Sequence, residues 1–295
     1  GRCQAAGDDR LGGQPREPGR RQRHGKANRT DGRALGLVLV TPDHVSPAFL
    51  DDGLSDLQRR DLVTRIDAYY DTAPRATARV EEYGSLVLFV AERGWPFYAR
   101  PGLNRSTEPT VDEIREVLAR QSELKVPLAL EWVHDTAPSL AESARAAGMA
   151  VQECPLLALG SLVEPRHADG RVRLMGAEDD DLVTVRAAID VGFDTPGTAV
   201  ADAGVAERDG AAALADAERL DFTRDMIRAG RSVLVGAFVD GIGPVGGGSH
   251  NPRGQVSEII GVGVLPAFRR RGLAGAVAQL LARQPLDSGV PTAFC

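Results

Sequence analysis

The chain has 295 residues, enough for two ordinary domains, and its 43% hydrophobic and 26% charged content is typical of a globular protein. A formal net charge of −6 provides no overall attraction to nucleic acid. Cys3, Cys154 and Cys295 form no CxxC pair, and the five histidines show no metal-ligand spacing. We therefore expect a cytoplasmic protein with no metal site, membrane span or nucleic-acid partner.

Residues 1–33 differ from the rest of the chain. They hold nine Lys and Arg residues against four acidic ones, and almost no apolar side chains. Such a segment buries too little surface to offset its conformational entropy, so a disordered tail is predicted. It lacks the aromatic residues expected of an RNA-binding tail, which is the alternative interpretation, and it has no apolar stretch typical of a secretory signal.

The first half of the ordered sequence alternates between strand-like apolar runs and segments with helical periodicity. Strands are predicted at residues 35–40, 85–92, 126–133 and 151–161, and helices at 54–70, 110–124 and 139–149. The second helix has the clearest start, because Thr110 followed by Glu113 is a capping box. Residues 95–102 contain two prolines, which favour an irregular connection. An N-terminal α/β domain over residues 34–163 is therefore predicted.

After a polar, turn-rich linker at 162–170 the pattern begins again, which predicts a second domain over residues 164–295. Its strands are expected at 171–175, 231–241, 244–250, 256–266 and 289–295, and its helices at 178–193, 205–229 and 272–283. GIGPVG (241–246) matches the GxGxxG pattern of dinucleotide sites. The glycines and Pro252 that follow exclude the helix such a site needs, so a hairpin is predicted.

The stretch VGVLPAFRRRGLAGAVAQLL (262–281) places three arginines between a strand and a helix. A helix N-terminus offers free N–H groups and a positive dipole end, which together bind phosphate well. Arg269, Arg270 and Arg271 add charge there, Gly272 allows the backbone to approach a ligand, and Ala274 keeps the first turn small. A diphosphate-bearing ligand is predicted, and a solvated basic turn is the alternative.

The spacing R-x-x-G-x-A at Arg269, Gly272 and Ala274 resembles the acyl-CoA pyrophosphate loop of the GNAT (GCN5-related) N-acetyltransferase family. The resemblance covers residues from about 171 to 295. It implies a mixed α/β (α+β) acyl-CoA N-acyltransferase fold in the C-terminal half, with acetyl-CoA as co-substrate and no metal. It also implies cofactor-binding roles for strand and loop residues, namely Val262, Gly263, Val264, Arg269, Arg270, Arg271, Gly272, Leu273 and Ala274.

The resemblance further implies a catalytic base at Glu258, because members of the family often carry one at the start of this strand. An exposed strand-end glutamate is the alternative, and His250, expected in a loop, is a weaker candidate for the base. The implied function is transfer of an acetyl group from acetyl-CoA to a small-molecule or peptide amine. A CoA-binding regulatory module without turnover is the alternative, and the resemblance leaves the oligomeric state undefined.

Two departures from the family pattern lead to further expectations. Family members continue beyond the fifth strand, whereas Cys295 stands inside it here, so we expect a truncated sheet with an open edge and a leaving-group acid located beyond Cys295. Residues 131–159 resemble the late part of a GNAT fold but no phosphate loop appears in 34–163, so one interpretation is a tandem protein with a degenerate N-terminal half. Trp95, Tyr98 and Trp132 either line an acceptor cleft or belong to the core.

Overall fold

A computed structural model of the protein describes residues 35–40, 54–94, 98–162 and 167–295. The predicted tail at 1–33, Trp95 and part of the predicted linker lie outside these residues. The described chain forms two mixed sheets, one from residues before the predicted linker and one from residues after it.

The first sheet has six strands in the order β2-β3-β4-β5-β1-β6. The elements that build it are β1 (Leu35–Val40), α1 (Asp56–Thr72), β2 (Ala78–Tyr83), β3 (Leu86–Ala91), β4 (Ala99–Pro101), α2 (Val111–Glu123), β5 (Ala129–Val133), α3 (Leu140–Ala146) and β6 (Ala150–Pro155). The capping box of Thr110 and Glu113 starts α2 as predicted. Trp132 is only 1% exposed in the core under α2 and α3, so it is a core residue.

The second sheet has five strands in the order β11-β10-β9-β8-β7. Its elements are β7 (Arg171–Met175), α4 (Leu182–Asp194), α5 (Val205–Ala213), α6 (Ala217–Arg228), β8 (Val233–Val239), β9 (Gly243–Arg253), β10 (Val256–Val264), α7 (Leu273–Asp287) and β11 (Thr292–Phe294). A Cβ atom at Gly247 would touch Val185 and Ile189 of α4, whereas one at Gly248 would touch Leu281 of α7. Because neighbouring strand residues point to opposite faces, α4 and α7 cover opposite faces of this sheet.

Several predicted elements differ from the structure. The long helix expected at 205–229 is two helices, because the Asp216 side chain caps a new start by accepting the Glu218 N–H at 2.9 Å. Strand β2 has no counterpart in the prediction, and β4 lies in the segment expected to be irregular. Strand β9 continues to Arg253, beyond the predicted end at residue 250, and the turn that follows it falls at Gly254–Gln255. The hairpin interpretation of GIGPVG is confirmed by the antiparallel pairing of β8 and β9.

The last strand of the second sheet pairs with a segment of the N-terminal half. The N–H of Leu157 donates to the carbonyl of Cys295 at 2.9 Å, and the N–H of Cys295 donates to the carbonyl of Leu157 at 2.9 Å. The N–H of Leu159 donates to the carbonyl of Ala293 at 2.8 Å. The expectation of an open edge is therefore wrong at residues 293–295, since residues 157–159 cover it.

Candidate active site

The backbone between β10 and α7 makes an irregular turn that leaves the helix N-terminus open. Pro266–Phe268 form one 3₁₀ turn, Arg270 and Gly272 have φ angles of 65° and 77°, and α7 begins at Leu273 without a side-chain cap. Among the described residues, none accepts a hydrogen bond from the backbone N–H groups of residues 273–275. Ala274 is exposed and a Cβ at Gly275 would meet nothing within 4 Å, so an anion has access to these donors.

The three arginines before this helix have different surroundings. One guanidinium nitrogen (Nη2) of Arg269 donates to the carbonyls of Gly192 at 2.8 Å and Thr195 at 2.9 Å, and the other (Nη1) donates to Ala199 at 3.2 Å. Arg269 therefore caps the last turn of α4 and holds the α4–α5 loop, which comprises residues 195–204. The Arg271 guanidinium lies 4.9 Å from the centre of the Phe268 ring, a cation–π contact.

Arg270 is the arginine best placed to contact a ligand. Its side chain is exposed and forms no ion pair or hydrogen bond with the part of the chain that the structure describes. Its positive φ is uncommon for a residue other than glycine and commonly marks a turn under local strain. Arg269 is therefore committed to the protein, whereas Arg270 has no side-chain partner among the described residues and the side chain of Arg271 contacts the Phe268 ring.

Gly272 is required by packing within the protein. A Cβ atom at this position would lie 2.5 Å from the backbone oxygen of His167 and 3.1 Å from the Cα of Ala168. The motif predicts that this glycine allows a ligand to approach, whereas in the structure another part of the backbone lies against it. Leu273 is 1% exposed in the core, so it can offer a ligand only its backbone.

Strand β10 has one edge that is only partly occupied. It pairs with β9 along most of its length but with β11 only through Val256–Glu258. A register shift against β9 between Ile260 and Gly263 marks a β-bulge, where Gly261 has a φ of 65°. Because alternate strand residues direct their backbone groups to opposite edges, the edge at 259–264 presents donors and acceptors with no partner strand among the described residues.

Val262, Gly263 and Val264, the strand residues predicted to bind the cofactor, lie along this edge of β10. They are packed closely by other parts of the protein, so what they can offer a ligand is their backbone. The side chain of Val262 packs between β10 and α7, where it lies 2.9 Å from the position of a Cβ at Gly248. A Cβ at Gly263 would lie 3.0 Å from the backbone oxygen of Ile189, so α4 covers this residue closely. Val264 is buried in the core, next to Gly192 of α4.

Glu258 lies at the third position of β10, opposite Asn251 of β9 and Phe294 of β11. Tyr70 of α1 donates a hydrogen bond from its hydroxyl to Oε1 of Glu258 at 3.1 Å. Burial raises the pKa of Glu258, and the hydroxyls of Tyr70 and Tyr69 act in the opposite direction. A carboxyl group with a raised pKa is suited to act as a base near neutral pH, and this environment is unlike that of an exposed strand end.

His250 does not share this environment. It is completely buried in β9, not in a loop, and its Nδ1 lies 2.7 Å from the Ser257 hydroxyl. Burial lowers the pKa of this histidine. Since Ser257 and Glu258 are consecutive strand residues, their side chains point to opposite faces, which separates His250 from the candidate base.

Tyr70 is a residue of this site that the sequence alone does not predict. Two adjacent tyrosines near the end of a charged helix are the signal available in the sequence, but nothing local connects them to β10. Tyr98 is near Tyr70 as well, because its hydroxyl donates to the Tyr70 carbonyl at 2.9 Å. Among the described residues no group of three or more His, Cys, Asp or Glu side chains is placed to hold a metal ion. No described helix is long and apolar enough to cross a membrane.

Part of the chain is similar to a known protein family, and its fold is similar to solved structures. Residues 205–295 match the family model described as the acetyltransferase (GNAT) family. A GCN5-related N-acetyltransferase from Kribbella flavida is 20% identical to this chain, with a TM-score of 0.55. The match covers 79% of this chain and 84% of the Kribbella flavida protein. An acetyltransferase from Trypanosoma brucei is 20% identical with a TM-score of 0.28, covering 41% of this chain and 78% of its own. A functionally unknown conserved protein from Staphylococcus epidermidis is 13% identical, with a TM-score of 0.39. That match covers 74% of this chain and 82% of the Staphylococcus epidermidis protein. The comparison with curated proteins gives no match.

The fold of this mixed α/β protein is therefore shared, over most of its length, with a solved GCN5-related N-acetyltransferase. Its C-terminal part, residues 205–295, is similar to the acetyltransferase (GNAT) family. Acyl transfer is the general chemistry of that family.

Proposed function

We propose that the protein transfers an acetyl group from acetyl-CoA to the amine of a small molecule or peptide. The proposal is supported chiefly by one observation, the open and uncapped N-terminus of α7 directly after a bulged strand with a free edge. The residues fit acetyl-CoA, because its diphosphate needs clustered N–H donors and its pantetheine amides need an unpaired strand edge.

Each part of the site has a role in this proposal. The N–H groups of residues 273–275 and the Arg270 side chain would hold the diphosphate, and the edge of residues 259–264 would hold the pantetheine arm. Bound acetyl-CoA supplies an acyl group activated as a thioester. Glu258 takes one proton from the acceptor ammonium, so that the nitrogen has a lone pair available to form the new N–C bond. The thioester C–S bond breaks as that bond forms, and CoA leaves as a thiolate that takes up, through water, the second proton lost by the nitrogen. A backbone N–H near the bulge at Gly261 is suited to donate to the acyl carbonyl.

Ala274→Asp tests the placement of the diphosphate. A carboxylate in the first turn stabilises a helix through the dipole, but at this position it would repel a diphosphate. We therefore expect thermal stability to be maintained while the affinity for CoA, measured by calorimetry, falls by a factor of about 30, equivalent to about 2 kcal/mol.

Ala217→Asp is the matched control, because Ala217 is also exposed and also lies in the first turn of a helix, α6. It should leave the affinity for CoA at the wild-type value. Equal affinities for wild type and Ala274→Asp would contradict the proposed placement.

Turnover is tested separately, by thiol release from acetyl-CoA over a panel of amines. Release that depends on the amine supports the transferase. Binding of acetyl-CoA without release on any amine would identify the protein instead as a CoA-binding module.

A further inference from the structure

Helix α1 of the N-terminal half reaches the part of the second sheet that contains the candidate base. Tyr69 and Tyr70 are 3% and 6% exposed, and both form edge-to-face contacts with Phe294 of β11, with ring centres 5.1 and 5.7 Å apart. The two tyrosines also share one core cluster with Val256 of β10. Packing therefore fixes the ring of Tyr70 against the second sheet.

The backbone of Tyr70 is held from the other side. The Tyr98 hydroxyl donates to the Tyr70 carbonyl at 2.9 Å, and the Phe89 and Tyr98 rings are in edge-to-face contact. A hydroxyl fixed in this way, at 3.1 Å from Oε1 of Glu258, restricts the rotation of that carboxylate. It also stabilises the charged form of Glu258, because it donates a hydrogen bond to it.

We propose that Tyr70 is a positioning residue for Glu258, so that the N-terminal half completes the active site of the C-terminal half. The inference rests on the proposed function, in which Glu258 is the base. Tyr70 acts through Glu258: its hydrogen bond orients the carboxylate toward the acceptor and keeps it ionised at lower pH than burial alone would permit.

Other charged and titratable groups also act at this position. Tyr69 and Tyr70 approach Glu258 from α1, Tyr98 from beside β4, Arg253 from β9 and Cys295 from the end of β11. Arg253 favours the carboxylate, as the tyrosine hydroxyls do, whereas burial opposes it. Removal of the Tyr70 hydroxyl alone should therefore raise the pKa of Glu258.

Tyr70→Phe tests the inference through the pH profile of kcat/KM. The base is active above its pKa, so the acid limb should move upward by about one pH unit, and the alkaline plateau should also fall because the carboxylate is less well oriented. A merely structural role for Tyr70 would lower the rate at every pH without moving the limb.

Tyr83→Phe is the matched control. Tyr83 also donates to a glutamate, Glu81, at 2.9 Å, but that pair lies on β2 of the first sheet, away from β10. Its pH profile should coincide with that of wild type. An unmoved acid limb in Tyr70→Phe would overturn the inference.

A second variant, expected to shift the acid limb in the opposite direction, excludes the explanation that Tyr70→Phe acts only by disturbing the fold. Site-specific 3-fluorotyrosine at position 70 is a stronger hydrogen-bond donor, so it should move the acid limb downward, and an upward or absent shift would contradict the inference.

Carbon-13 NMR of labelled glutamate, with Glu258→Gln used for assignment, separates this inference from the proposed function. A higher titration midpoint of Glu258 in Tyr70→Phe supports the contact even if no amine is acetylated, and in that case only the proposed function fails. An unchanged midpoint overturns the inference, whether or not the wild-type protein turns over.

Discussion

Replacing Arg269 with alanine should destabilise the protein more than it weakens CoA binding. The guanidinium makes three bonds to backbone carbonyls, at 2.8 and 2.9 Å in the last turn and cap of α4 and at 3.2 Å in the α4–α5 loop. Hydrogen bonds from a charged donor contribute about 1.5–3 kcal/mol each when the partners stay buried. The freed carbonyls lie near the surface and can bond to water, so a total loss of about 2–4 kcal/mol is expected.

Part of the loop attachment should survive this substitution. The Ala201 N–H still donates to the Pro266 carbonyl at 3.3 Å, and the Ala267 N–H still donates to the Ala203 carbonyl at 3.0 Å. The loop should therefore loosen without detaching. The melting temperature is expected to fall by roughly 3–6 °C, and amide hydrogen exchange should accelerate over residues 195–204.

Arg270→Ala is the control for Arg269→Ala, and the two variants are compared in melting temperature and in affinity for CoA. Arg270 is exposed and makes no ion pair with the described residues, so its removal should leave the melting temperature within about 2 °C and weaken CoA binding several-fold. If Arg269→Ala instead melts at the wild-type temperature and abolishes CoA binding, the reasoning fails and Arg269 is a phosphate ligand.

Two further substitutions have definite expected outcomes. Gly272→Ala should lower the free energy of unfolding by about 2 kcal/mol or more in denaturant titrations, because its φ is 77° and its Cβ would lie 2.5 Å from the His167 oxygen; an unchanged midpoint would contradict this. Glu258→Gln should lower kcat at least about 100-fold if Glu258 is the base. Compared with wild type, the Glu258→Gln variant should also lose less stability between pH 5 and pH 8. In wild type the raised pKa of Glu258 means that the folded state holds the proton more tightly than the unfolded state does. The contribution of Glu258 to stability is therefore largest below its pKa in the unfolded chain and is lost as the pH rises through its pKa in the folded protein. Denaturant titrations at pH 5 and pH 8 measure that difference, and equal pH dependence in wild type and variant would contradict it.

The sequence was most informative where local rules determine the structure. The capping box at Thr110, the strand–turn–helix at 256–283 and the hairpin in place of a dinucleotide loop each depend on residues close together in the chain. The candidate phosphate site is local as well, which is why its helix N-terminus was found at the predicted place.

The features that the sequence did not predict depend on contacts across long separations. Strand β2, ARVEEY, has charged residues facing solvent and little apolar alternation, so only its pairing with β3 defines it. Tyr70 and Glu258 are 188 positions apart in the chain, and no spacing rule relates them. Arg269 fits the expected motif by its type, yet its role depends on where the end of α4 lies in three dimensions.

The pairing of residues 157–159 with residues 293–295 makes the two halves mechanically dependent on each other. Separating them would strip three main-chain hydrogen bonds from a short strand and open the aromatic contacts of Phe294 to water. A large hinge rotation between the halves is therefore costly. If the C-terminal half were produced alone, its bare strand edge would favour pairing with other copies of itself.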